Sequence, residues 1–135
     1  MTRQIISTDT APAAIGPYSQ AVRVNGCLYV SGQIPLDPRT ERVVEGGITE
    51  QAKQVLDNLG AILKKADLSF KDVAKVTIFI KDIEEFDSIN KVYKRYFSSR
   101  SPARSTVEVS RLPKGVEIEI DAIACYGESS KGGDK

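Results

Sequence analysis

The segment RSPARSTVEVSRLPKGVEIEIDAIACY (100–126) decides the fold. In its second half Val116, Ile118, Ile120, Ala122 and Ala124 alternate with Glu117, Glu119 and Asp121. In its first half Ala103, Ser105, Val107 and Val109 alternate with Arg104, Thr106 and Glu108. Alternation with period two is a strand pattern that sends each set to one face of a sheet. The segment therefore reads as two strands joined by a turn. Val107, Val109, Ile118, Ile120 and Ala122 are expected beneath a cover, and Arg104, Thr106, Glu108, Glu117, Glu119 and Asp121 on the opposite face.

The cover comes from the sequence upstream. Residues 49 to 66 carry apolar side chains at three- and four-residue steps (Ala52, Val55, Leu56, Leu59, Ile62, Leu63, Ala66), one stripe of an amphipathic helix. Thr49 is the expected N-cap, and Gly60 should weaken the helix by about 1 kcal/mol relative to alanine. A second helix is expected from about 84 to 98, with Phe86, Ile89, Tyr93 and Phe97 on its stripe. Between the helices, DVAKVTIFIKD (72–82) reads as a strand. Residues 3 to 7 suggest a short strand, and Asn25-Gly26 between two β-rich runs signals a hairpin. QIPLDPRTERVVEGG (33–47) reads as loop. The order β, β, β, α, β, α, β, β predicts an α+β protein: a mixed six-stranded sheet with two helices on one face. One domain over 1–127 and a disordered polar tail over 128–135 complete this reading.

Composition narrows the chemistry. The 135-residue chain is 41% hydrophobic, enough for a core, and its 19 basic and 18 acidic residues leave a net charge of +1. That balance gives no general reason to expect nucleic acid or anionic membrane as a partner. No apolar run approaches the roughly 20 residues of a spanning helix, and a cytoplasmic location is expected. Histidine is absent, which rules out a Ser-His-Asp triad, a Cys-His pair and a histidine-ligated zinc site. Any enzymatic proton transfer must use Glu, Asp, Tyr, Lys or water. There is no GxxxxGK[ST] or GxGxxG cradle for phosphate or dinucleotide. Cys27 and Cys125, distant in sequence and without CxxC spacing, read as two buried, reduced thiols.

Two helices cover one side of such a sheet, yet Tyr29, Phe79, Ile123 and Cys125 place apolar groups on the other. A face that mixes apolar residues with a few charges suits a contact between copies of the chain. Buried there, Arg104 and Glu119 need partners or mark a site. A guanidinium grips a carboxylate with two prongs, and a partly desolvated glutamate can orient water or carry a proton. A plain Arg104–Glu119 salt bridge across strands is the structural alternative.

The chain resembles the RidA/YjgF family of reactive imine and enamine deaminases. The resemblance runs from APAAIGPYSQA through VSGQIPLDP, ITEQAKQVLDNLGAIL, VAKVTIFIKDI and FDSINKVYKRYF to PARSTVEVSRLPKGVEIEIDAIA, and the run at 102–120 is its most specific part. It implies a chorismate-mutase-like fold assembled as a homotrimer, with active clefts between subunits. It also implies hydrolysis of 2-imino acids to 2-oxo acids and ammonia, with no cofactor or metal. By the same resemblance Arg104 would bind the substrate carboxylate and Glu119 would position the attacking water. Tyr18 and Ser31 would line the pocket, and backbone groups at Gly32 and Thr106 would hold the reacting nitrogen or the water. Asn90 matches a cleft-lining asparagine of some members. Many members carry cysteine where this chain has Thr106, so thiol chemistry at that position is not available. Plain structural roles stand beside these: turn packing for Tyr18, a backbone-satisfied hydroxyl for Ser31, backbone freedom for Gly32 and a strand residue for Thr106. Two other functions compete, a non-catalytic carboxylate-binding or protein-interaction member and, less supported, an endoribonuclease.

Overall fold

In the computed structural model, residues 2–127 are described, and the tail over 128–135 expected to be disordered lies outside them. Strands β1 (Gln4–Ile6), β2 (Ala21–Val24) and β3 (Cys27–Gln33) form an antiparallel meander. Asn25 and Gly26, both at positive φ (55° and 74°), make the turn between β2 and β3, the backbone of a type I′ hairpin. Within the segment read as loop, β4 (Leu36–Asp37) and β5 (Arg42–Val43) form a small separate ribbon. Helix α1 (Ile48–Lys65), strand β6 (Val73–Ile80), helix α2 (Phe86–Tyr96), β7 (Ala103–Glu108) and β8 (Ile118–Cys125) follow. The main sheet has six strands in the order β1-β2-β3-β8-β6-β7.

Both helices pack on one face of this sheet, against each other and against Leu28, Val30, Val76, Ile78, Ile80, Ile118, Ile120, Ala122 and Ala124, all buried. The α1 stripe expected from sequence is the buried stripe. Its N-terminus differs: Gly47 is the N-cap, and Glu50 Oε1 accepts the Gly47 N–H at 2.8 Å. Thr49 lies inside the helix, because the glycine pair lets the chain enter two residues earlier, with the Glu50 side chain capping the Gly47 N–H.

Two expectations about the opening segment fail. Strands β7 and β8 are not neighbours, since β6 lies between them, antiparallel to β8 and parallel to β7. Arg104, Thr106 and Glu108 pair with Val76, Ile78 and Ile80, which are buried under the helices. Paired residues share a face, so Arg104 points to the helix side, whereas Glu119, paired with Phe79, points to the open side. Val107, expected beneath the helices, is on the open face and 41% exposed. The cause is position. As an edge strand, β7 lies at the margin of the α2 cover, so its helix-side positions accept polar groups that a central strand would not.

The thiols also depart from expectation: Cys27 is half-buried and Cys125 exposed. Across the open face run Tyr29, Ile123, Thr77 and Phe79, with Glu119 and Asp121 on β8, and no described element covers them.

Candidate active site

The predicted site residues fall into two groups on opposite faces. The first is built on α2 and β7. Phe86, Asn90 and Tyr93 recur at steps of four and three, one face of α2, and Arg104 reaches that face from β7. Arg104 Nη1 donates to Asn90 Oδ1 at 2.8 Å. Its guanidinium carbon stands 4.7 Å from the Tyr93 ring centroid and 5.3 Å from that of Phe86. Aromatic faces attract the cation and limit its motion, while most of its N–H donors stay available for a carboxylate. Beside it, Phe86 and Thr106 line an open hollow of ≈ 490 Å³.

The second group is built on the loop before β2, on β3 and on β8. Gln20 organises the loop: its amide donates to the carbonyls of Thr8 and Pro12 and accepts from the Thr8 N–H. Tyr18 is held over this loop, 54% exposed, with its hydroxyl accepting the Ile15 N–H at 3.4 Å. The Ser31 hydroxyl donates to the Ser19 carbonyl at 2.6 Å, so its proton is already used and only its lone pairs are free. The pairing of β3 with β8 shifts between Val30 and Gln33, and this irregularity turns Gly32 toward Glu119. A β-carbon on Gly32 would collide with the Glu119 carboxylate, so any larger residue there would displace that carboxylate from its present position. Tyr18 and Gly32 border a cavity of ≈ 300 Å³ with an apolar wall including Ile15, Ile34 and Pro113.

Burial, and next the nearby charge of Asp121, hold the Glu119 carboxyl above the usual carboxylate range. Asp121 is itself raised by burial, opposed by hydrogen bonds from Thr77. Glu119 is thus poised to accept a proton more readily than a solvated glutamate.

Arg104, Asn90 and Thr106 are therefore brought together, as are Tyr18, Ser31, Gly32 and Glu119, but the two sets are not. Ion pairs among the described residues are Arg39–Asp37 and Lys53–Asp57, so the Arg104–Glu119 salt bridge is not formed. Sequence reasoning placed Phe86 and Tyr93 only on an apolar stripe and missed their contact with Arg104; the i, i+4, i+7 spacing with Asn90 was the available signal. Asp121 was assigned to the open face without its influence on Glu119.

A guanidinium framed by aromatic rings and an amide on one face, and a half-dry carboxylate beside a glycine on the other, are the candidate site groups of this α+β domain. The family model described as Endoribonuclease L-PSP matches residues 8–126. The chain belongs to this family, the RidA/YjgF/RutC group. It is 50% identical over 127 residues to the human 2-iminobutanoate/2-iminopropanoate deaminase, covering 94% of this chain and 93% of that one. Among solved structures, a Thermotoga maritima protein titled a putative endoribonuclease superposes with a TM-score of 0.90 at 52% identity, covering 92% and 98% of the two chains. Escherichia coli TdcF with bound serine superposes with a TM-score of 0.88 at 44% identity, covering 92% and 99%. No described helix is long and apolar enough to cross a membrane.

Proposed function

We propose that the protein is a 2-iminobutanoate/2-iminopropanoate deaminase that works as a homotrimer, each active cleft formed by the Arg104 group of one copy and the Glu119 group of the next. The observation that carries the reading is the opposite facing of Arg104 and Glu119 within one chain. Complementary half-sites on different surfaces favour head-to-tail association, which closes into a ring. The partly apolar open face supports that association, and the number three comes from the family resemblance.

The substrate carboxylate binds the Arg104 guanidinium, oriented by Asn90. Water held near Gly32 attacks the carbon of the protonated imine as Glu119 takes a proton from it. The carbinolamine so formed collapses when Glu119 returns the proton to nitrogen: the C–N bond breaks, ammonia leaves, the hydroxyl proton passes to Glu119 and on to water, and the 2-oxo acid remains. Tyr18 and Ser31 wall the pocket, and Thr106 contributes backbone and a neutral side chain. The electrophile is activated by its own nitrogen, so a positioned water and one tuned carboxylate suffice.

The test supplies the imine from a pyridoxal-phosphate dehydratase and follows 2-oxo acid. Wild type should accelerate its appearance, and Arg104→Ala should lower kcat/KM by about 2 to 5 kcal/mol, roughly 30- to several-thousand-fold. No acceleration by wild type, with calorimetric binding of 2-oxobutanoate retained, would favour a non-catalytic carboxylate-binding protein instead. The family's description as endoribonuclease favours one further assay: ribonuclease activity that disappears in Glu119→Gln.

A further inference from the structure

Outside the site, the two cysteines meet. Cys27 opens β3 and Cys125 closes β8, and the two occupy directly opposed positions of the antiparallel ladder. The Tyr126 N–H donates to the Gly26 carbonyl at 3.0 Å, one residue outside the pair on each strand. That bond marks Cys27 and Cys125 as a non-hydrogen-bonded pair, the arrangement in which opposed residues come closest, with α-carbons about 4.5 Å apart. A disulfide accepts α-carbon separations from about 4.4 Å upward. Both side chains lie at the end of their strands on the open face, the face proposed to meet other copies; in the single chain one is exposed and one half-buried.

We infer that Cys27 and Cys125 are a redox modification site that closes into an intrachain cross-strand disulfide when the protein meets a peroxide. Cys125 sulfur, as its thiolate, attacks an oxygen of the peroxide, a reagent small enough to enter a seam between subunits; the O–O bond breaks, and a sulfenic acid and water result. Cys27 sulfur then attacks the sulfenic sulfur, the S–S bond forms, and a second water leaves. The two sulfurs lose two electrons and the peroxide gains them. Burial, followed by the hydrogen bond to Cys27, raises the Cys125 thiol above its ordinary range, so closure is slow compared with that of a low-pKa sensor cysteine. The bond joins β3 to β8, the two strands across which Gly32 meets Glu119. It also closes a long loop, which restricts the unfolded chain.

The experiment incubates the full-length folded protein with hydrogen peroxide and measures free thiols, intact mass, non-reducing peptide maps and Tm. Loss of both thiols, a mass lower by two hydrogen atoms, a Cys27–Cys125 cross-linked peptide and a Tm raised by several degrees are expected. Dithiothreitol should reverse all four, and Cys27→Ser and Cys125→Ser should each lose the Tm increase. Chain-to-chain cross-links, sulfinic acid without a cross-link, or thiols that survive peroxide while those of the urea-unfolded chain do not, would each overturn the inference.

Discussion

Arg104 is held by a triangle of α2 side chains, two aromatic faces and one amide oxygen, and Glu119 lies in the gap left by the missing β-carbon of Gly32. The two residues differ in what their burial costs. Glu119 binds its proton more tightly in the folded chain than in the unfolded one, since its pKa is raised. Its contribution to stability is therefore fully present below the unfolded carboxylate range and is lost as pH rises through the raised pKa. At neutral pH the charged form weighs against the fold. Glu119→Gln should raise Tm at pH 7, with the gain shrinking toward pH 4, while deaminase activity collapses; thermal unfolding across pH measures this directly, and a lower Tm at pH 7 would refute it. The identities of Arg104 and Glu119 were legible in the sequence because charges in an alternating strand are conspicuous. Their opposite orientation was not, since alternation fixes relative faces within a strand but not which face of a neighbouring strand each set joins.

At the scale of elements, the long apolar stripes gave both helices and the period-two runs gave the strands of the main sheet. The small β4–β5 ribbon escaped because two-residue strands carry no periodicity. The order of strands escaped too: β7 connects back through α2 beside β6, and nothing local in 100–126 tells a hairpin from such a crossover. Helix propensity misleads at Gly60. A β-carbon there would stand 2.9 Å from Cε2 of Phe70, and the Phe70 ring packs edge-on against Tyr96 and Phe97. Gly60→Ala should therefore destabilise the protein, although propensity alone predicts a gain of about 1 kcal/mol. Chemical denaturation measures the sign, and a stabilised variant would show that the Phe70 ring shifts freely.

For the whole molecule, a closed helix-covered core lies on one side and a partly apolar open face on the other. The sequence disclosed that face through Tyr29, Phe79 and Ile123, but the split of the site became visible only with the register of β7. The most direct test of the proposed shared cleft is complementation. Arg104→Ala and Glu119→Gln are each expected to be inactive alone, and co-expressed they form mixed particles. Random mixing pairs an intact Arg104 with an intact Glu119 at about a quarter of the interfaces of a head-to-tail ring, so activity should return to about that fraction of wild type. Mixed particles verified by native mass spectrometry that stay inactive would contradict the account.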